Sequence, residues 1–406
     1  MDGGKVNPEI FRAYDVRGIY GKDYDEAFAQ RLGARTVAYL KAATIVVGRD
    51  LRDSSDELAY AVIDGAIHAG ATVVDVGELS SPQFYWAIRA LGAQGGIMVT
   101  ASHNPPTYNG FKVIGRDGEV IGGGHLRQIY DSAGHGHRTG GKVEYRDIVP
   151  DYADAVAYAS GWKGGTELRI AVDGPPSVSR VLSRLGPIAP DGGMAAKLDP
   201  DGDRIQFYAD GEAIAADFIF LLLAEQFRLA PVAFDLRFSR IVRERLDKAK
   251  TRYAVSRVGR LALSEGMRAI GAALGGEMSG HFYWKEFGGM ESPELTLIRV
   301  LQATGQDPAR LQELLKPYRT YAKSEEMSVP LRDKKHAASV LEHAATAYPG
   351  CVADRTDGIT LDCWDKRGFW FNIRPSNTEP LMRVVVEAKE KNLLDRRVQE
   401  VQELVR

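Results

Sequence analysis

Two short stretches carry residues that could do chemistry. In VTASHNPPTYNGFK (99–112) the apolar run GGIMV delivers the chain to Ser102 and His103, and two prolines then forbid a helix. A hydroxyl brought to the end of a buried strand and held on so stiff a loop suits an activated nucleophile. In LDPDGDR, Asp199, Asp201 and Asp203 stand at alternate positions. Alternate residues of an extended segment point the same way, so the three carboxylates are expected to converge on one hard cation. An acidic surface turn is the plain alternative. An EF-hand fails, because Arg204 stands where glycine is required and Asp210, not glutamate, closes the twelve-residue loop. Three carboxylates abutted by an arginine suit Mg²⁺ beside a phosphate, since magnesium completes its shell with phosphate oxygens and water.

Two further loops offer ligands. GGEMSGH (275–281) presents Glu277, Ser279 and His281 between glycines, and RPSNTEP (374–380) presents Arg374, Ser376, Asn377 and Thr378. A planar guanidinium with short neutral donors fits a phosphate dianion. Taken singly, each is as readily a surface turn. His135 and His137 lie in a glycine-rich loop and read as a solvated pair rather than a metal site. The chain has no Gly-x-Ser-x-Gly elbow, which disfavours a hydrolase triad.

The elements that must position these loops follow from periodicity. TIVVG (44–48), TVVDVG (72–77) and GGIMV alternate with helical stretches, the first expected to start at Ser54 with Glu57 completing a capping box. Leu58, Val62, Ile63, Ala66 and Ile67 form its apolar stripe. This β-α-β-α-β order predicts a mostly parallel sheet, whose ligands gather beyond the carboxyl ends of the strands. That is where Ser102 stands. LRIAVDG (168–174) starts another strand, and after Ala213 the alternation resumes with a helix through Glu225, the strand VAFDL, a helix from Ser239 and the strand YAVSRV. From about Tyr318 the pattern becomes α+β, with a hairpin over CVADRTDGITLDCW.

At 406 residues the chain is too long for one core. With 44% apolar and 26% charged residues and a formal net charge of −2, it resembles an ordinary globular protein with no basic field for nucleic acid. Only Cys351 and Cys363 occur, so neither a zinc site nor a disulfide framework is signalled. With no apolar leader and no membrane-length run, a cytoplasmic protein without a membrane partner is expected.

The four loops TASHNP, DPDGDR, GEMSGH and RPSNTEP, in that order, resemble the signature loops of the α-D-phosphohexomutases, and FRAYDVRG (11–18) and VGRD (47–50) agree. The resemblance spans nearly the whole chain. It implies three α/β domains with mixed or parallel sheets around a cleft, at 1–150, 151–212 and 213–317, plus an α+β domain at 318–406. It implies a phosphotransferase working through phosphorylated Ser102 and a hexose 1,6-bisphosphate. Mg²⁺ would be held by Asp199, Asp201, Asp203 and an oxygen on Ser102. Arg12, Lys112, Arg204 and His281 would surround the transferred group, and Glu277, Ser279 and His281 would read the sugar. Arg374, Ser376, Asn377 and Thr378 would grip the non-reacting phosphate. Met278 resembles the phosphomannomutase/phosphoglucomutase branch. Phosphoglucosamine mutase and a non-catalytic sugar-phosphate binder are the alternatives, and the oligomer expected is a monomer or homodimer. The chain departs from the family pattern between LRIAVDG and LDPDGDR, where it is short, and at DGPPSVSRVL and FGGMESPEL. The second domain is therefore expected to be trimmed.

Overall fold

The computed structural model describes residues 6–116, 118–132, 140–190, 192–331, 333–376 and 380–405. His135, His137, Asn377 and Thr378 lie outside the described residues. The chain falls into two compact units: Met1–Ile214 with Ser279–Pro308, and Ala215–Met278 with Ala309–Arg406.

In the first unit six strands form one mixed sheet, in the order Val16–Ile19, Tyr108–Gly115, Gly95–Val99, Thr44–Arg49, Thr72–Glu78, Lys142–Tyr145. The last four run parallel, as the alternating pattern requires, and helices Ser55–His68 and Ser81–Ala90 make the crossovers. Gly95–Val99 is buried along its whole length, which explains its unbroken small and apolar run. Tyr108–Gly115 instead returns antiparallel beside it, so residues 100–107 form a tight connection between neighbouring strands.

The expected capping box at Ser54 is not made. Ser54 caps the helix without a side-chain hydrogen bond to it, because its own backbone is already helical (φ −88°, ψ −3°) rather than extended; its hydroxyl instead accepts from Asn109 Nδ2 at 2.9 Å. The reciprocal box forms one helix later, between Ser80 and Gln83. Leu58, Val62, Ile63 and Ala66 do face the core, against Phe28 and Leu32 of helix Glu26–Leu40.

A second sheet in this unit orders Glu212–Ile214, Ile205–Ala209, Met194–Leu198 and Ala171–Asp173. Only the last pair is parallel. Leu198 pairs with Ile205, so the acidic loop is the turn of a hairpin. Hairpin Phe282–Trp284 with Met290–Glu291 and the almost wholly buried helix Pro293–Thr304 complete the unit.

In the second unit the parallel strands Tyr253–Ser256, Val232–Asp235 and Leu274–Gly276 lie side by side. Helix Ala216–Gln226 is the source of the FIFLLLA run. Ile219 through Leu223 are each at most 1% exposed, so the helix is enclosed on several sides and shows no polar stripe. Burying each such side chain contributes about 1.5–3 kcal/mol. The rest of the unit is an antiparallel sheet in the order Ala322–Lys323, Leu381–Ala388, Phe369–Pro375, Ile359–Asp362, Val352–Asp354, with Met327–Pro330 also on Leu381–Ala388. Helices Lys334–Ala347 and Lys391–Val405 contribute to the core on it, giving the α+β block that was expected.

One composition reading is corrected here. Cys351 and Cys363 form a disulfide. Val352 pairs with Asp362 in the antiparallel hairpin, so the next residues outward in that register are the two cysteines, which spacing alone did not reveal. Among the described residues no helix is long and apolar enough to cross a membrane.

Candidate active site

Ser102 follows the buried strand Gly95–Val99 and is 3% exposed. Its backbone is left-handed, with φ of 51°, a region that non-glycine residues occupy only when their surroundings impose it. Those surroundings are Asp50 and Arg52, just beyond strand Thr44–Arg49. Ser102 N donates to Thr100 Oγ1 at 2.9 Å, and that hydroxyl donates to Asp50 Oδ2 at 2.6 Å. Asp50 also takes Arg52 Nε at 3.0 Å. The Arg52 guanidinium then donates to the carbonyls of Ser102 (2.5 Å), Asn104 (2.8 Å), Pro105 (2.8 Å) and Tyr108 (3.0 Å). Ser102 Oγ lies 3.3 Å from His103 Nδ1. The imidazolium of His103 is pushed down to about 4 by desolvation and by the Arg204 and Arg17 charges.

The acidic turn is docked against the same sheet. Ser81, at the start of helix Ser81–Ala90, donates its N–H to Asp201 O at 2.8 Å and its hydroxyl to Asp201 Oδ2 at 3.0 Å. Lys112 Nζ, on the strand returning from the serine loop, lies 2.5 Å from Asp201 Oδ2, 3.1 Å from Asp203 Oδ2 and 3.2 Å from Ser81 Oγ. Burial alone would lower the Lys112 ammonium, but Asp201 and Asp203 outweigh it and hold it well above its usual value. The carboxylates converge through the turn rather than by extended alternation. Gly202 has φ of +68° and donates to Asp199 O, and the N–H groups of Asp203 and Arg204 both reach Asp199 Oδ1 at 3.1 Å. A side chain at 202 would also strike Ser80, so glycine is required twice over.

One oxygen of each aspartate lies within 4.8 Å of the others, and among the described residues this is the one such acidic group. Asp199 Oδ2 and Asp201 Oδ1 are buried and accept no hydrogen bond from the described residues, the nearest cation to Asp199 Oδ2 being Arg204 Nε at 3.7 Å. Unsatisfied, closely spaced carboxylate oxygens are the donor set a hard divalent cation takes, so the residues fit Mg²⁺. Burial and the adjacent Asp203 and Asp201 charges push Asp199 well above the carboxylate range. Asp203 is held well below it: burial would raise it, but Lys112 and His281 prevail.

His281 reaches this turn because Gly280, at φ of +88°, lets the chain approach Ile205, whose N–H donates to Gly280 O at 3.0 Å. Its Nε2 lies 3.2 Å from Asp203 Oδ1 and 3.4 Å from Arg204 Nε, while Nδ1 lies 2.8 Å from Ser279 Oγ. Arg204 Nε donates to Nε2, so the ring links the arginine, Asp203 and Ser279. Arg12 is exposed on the approach to strand Val16–Ile19, whereas Arg17 reaches the serine loop, donating to Asn104 Oδ1 at 2.7 Å.

In the second unit Arg374 is 6% exposed on strand Phe369–Pro375. Its NH2 donates to Glu326 Oε1 at 3.0 Å, and Arg237 NH1 reaches the same oxygen at 2.9 Å. Burial would raise the Glu326 carboxyl, but Arg237 and Arg374 together hold it below its usual value. Arg374 Nε is buried and donates to no acceptor among the described residues. Ser376 N donates to Leu381 O at 2.7 Å. Glu277 is 3% exposed and accepts from Gly259 N at 3.0 Å, at the start of helix Arg260–Ile270. Met278 N donates to Asp235 Oδ2, which also binds Arg237.

Sequence reasoning gave no role to Arg17 or Asp50, which lie within the stretches FRAYDVRG and VGRD, and did not touch Arg52, Ser81, Arg237 or Glu326. A signal existed for two pairs. RDLR and FDLR both place Asp-x-Arg straight after an apolar strand, and in both the arginine folds back on that aspartate.

Comparisons with known proteins agree along the chain. Phosphoglucomutase/phosphomannomutase alpha/beta/alpha domain I matches residues 8–138, alpha/beta/alpha domain III matches 213–321, and the C-terminal domain matches 326–404. A phosphomannomutase of Methanocaldococcus jannaschii is 31% identical, over 98% of this chain and 97% of that protein. A phosphomannomutase of Salmonella montevideo is 29% identical, over 98% and 99%. Among solved structures, a phosphoglucomutase/phosphomannomutase family protein of Burkholderia thailandensis superposes with a TM-score of 0.84 at 25% identity, covering 98% of this chain and 97% of that one. Parafusin, a phosphoglucomutase of Paramecium, shares the fold at 16% identity with a TM-score of 0.77, covering 98% and 94%.

Proposed function

The chain belongs to the phosphoglucomutase/phosphomannomutase family of phosphotransferase mutases, and we propose that it interconverts hexose 1-phosphate and hexose 6-phosphate, of mannose, glucose or both. The observation that carries this reading is a buried, backbone-strained serine at the end of one sheet with an acidic turn docked beside it, Lys112 on the strand that returns from the serine reaching that turn. A sugar-phosphate binder has no use for that serine.

In this reading Ser102 carries the transferable phosphoryl group. A free hydroxyl of the sugar phosphate forms the new O–P bond and gives up its proton. The P–Oγ bond to Ser102 breaks, and Oγ takes a proton in turn. The product is a hexose 1,6-bisphosphate, whose other phosphate returns to Ser102 in the reverse sense. Asp199, Asp201 and Asp203 would hold Mg²⁺ together with a phosphoserine oxygen, and the ion would supply charge neutralisation at the phosphoryl oxygens. Lys112 places a buried ammonium beside the acidic turn, where it offsets negative charge. Arg204 and His281 lie at the same turn and Arg17 at the serine loop, and all three can meet phosphoryl oxygens. Arg12 belongs to this set by resemblance. Glu277, Ser279 and His281 would read sugar hydroxyls, and Arg374 with Ser376, Asn377 and Thr378 would hold the non-reacting phosphate. The donor left unused on Arg374 Nε supports that role.

The test is a coupled assay with mannose 1-phosphate, glucose 1-phosphate and glucosamine 1-phosphate, alongside intact-mass measurement of the protein. Turnover of mannose or glucose 1-phosphate with a phosphate adduct at Ser102 is expected. Turnover confined to glucosamine 1-phosphate would move the reading to that sugar, and no turnover with any of the three would overturn it.

A further inference from the structure

We propose that Arg52 is the positioning residue of the serine loop: its guanidinium holds Ser102 in the left-handed backbone from which Oγ is aimed. The inference rests on the phosphoserine reading above only for its kinetic consequence; the loop geometry stands by itself.

The contact of the Ser102 side chain with His103 is long, at 3.3 Å, so the backbone, which fixes Cβ and the rotamers open to Oγ, is the main constraint on where the hydroxyl projects. That backbone is not self-sustaining. A left-handed serine is disfavoured by about 1–3 kcal/mol and persists only where neighbours over-determine it. Arg52 supplies that constraint. NH1 spans the carbonyls of Pro105 and Tyr108, NH2 spans those of Ser102 and Asn104, and Nε anchors the fork to Asp50. The Arg52 side chain is 8% exposed, so these are charge-assisted bonds in a largely dry setting. Asp50 doubles the hold, since it also accepts the Thr100 hydroxyl that receives Ser102 N–H. Four carbonyls drawn to one planar cation fix the curvature of the loop. A lysine ammonium carries the charge but lacks the second, divergent nitrogen, and reaches fewer of them.

The consequence is a loss in the transfer step rather than in sugar binding. Displacing a reacting atom by about 1 Å can reduce rate by roughly a hundredfold. Arg52→Ala should therefore lower kcat by roughly thirty- to a hundredfold, with KM for hexose phosphate changed less than about twofold. The rate at which Ser102 takes phosphate from a hexose 1,6-bisphosphate, followed by quenched intact-mass spectrometry, should fall by the same factor. Millimolar ethylguanidinium should recover part of it, and ethylammonium should not. Arg52→Lys should keep the fold while remaining impaired, which carries the test if Arg52→Ala does not fold. Amide hydrogen exchange over residues 100–108 should rise in both variants.

Unchanged exchange over that segment in a folded variant would overturn the proposal, whatever becomes of the phosphoserine reading. So would wild-type kcat in Arg52→Lys, or a deficit that disappears when rates are expressed per phosphorylatable site. Ser102→Ala separates the two ideas: if it still turns over substrate, the phosphoserine reading fails, and exchange alone then decides the role of Arg52.

Discussion

Removing Lys112 should destabilise the first unit in a way that a divalent cation partly repairs. At an effective dielectric of about 20, the Nζ contacts of 2.5 Å to Asp201 and 3.1 Å to Asp203 correspond to gross attractions of roughly 6.6 and 5.4 kcal/mol. Burial of the ammonium offsets most of this. Breaking such a buried cluster by deleting one partner typically costs about 3–5 kcal/mol, because the remaining charges stay buried and unpaired. In Lys112→Ala the three aspartates lose their most closely placed cation. The expected loss, measured by urea unfolding in EDTA, is therefore about 3–5 kcal/mol. For a unit of this size that corresponds to a Tm lower by roughly 6–20 °C. Lys112→Met, which retains most of the stem, should fall in the same range, because the charge and not the packing is at issue. Mg²⁺ should bind the variant's carboxylates and restore stability, by about 2.7 kcal/mol when present at a hundred times its Kd. A Lys112→Ala protein within about 1 kcal/mol of wild type in EDTA, or a deficit that Mg²⁺ leaves untouched, would refute the argument.

Ser102→Ala should leave the fold intact, abolish turnover and remove a phosphate adduct that intact-mass spectrometry finds on the wild type; near-normal activity would sink the phosphoserine mechanism. Asp201→Asn and chelation should each stop turnover, and full-rate interconversion by metal-analysed, EDTA-treated protein would contradict the cation site. Arg374→Ala should reduce kcat/KM by roughly ten- to a hundredfold, from the loss of a charge-assisted bond worth about 1.5–3 kcal/mol, and equally for mannose and glucose 1-phosphates; a shift in sugar preference would remove Arg374 from phosphate binding. His103 should stay neutral in an NMR titration until the pH approaches 4. Because that folded value lies below the usual 6.5, the stability it contributes is complete above about pH 6.5 and declines as pH falls toward 4, damped by solvent at the ring's open edge. Phosphate on Ser102 should move the titration upward, since a dianion counters the two arginines; a titration near 6.5 in the unphosphorylated protein would contradict the site's electrostatics.

Much of the frame was legible along the chain. Strand and helix alternation in the first unit, the buried strand leading to Ser102, the acidic loop and the α+β tail are all written in local periodicity, because burial on one face repeats every two or every 3.6 residues. The convergence of the three aspartates was legible too, but for an incomplete reason: the DGD spacing converges because a glycine at positive φ folds the turn and Ser81 docks it, not because the segment is extended. Partnerships were what only the tertiary structure decided. Ser54 takes a helical backbone and makes no capping box, while its hydroxyl meets Asn109, 55 positions away. Arg52 meets carbonyls 50 to 56 residues on, and Lys112 meets Asp201 across 89. The two cysteines are joined by a strand register that no spacing rule announces. A sequence records which side chains must be hidden and which backbone turns are permitted. Which buried charge answers which is settled only when separate elements pack, since at contact range a shift of a few ångströms decides whether a pair forms at all.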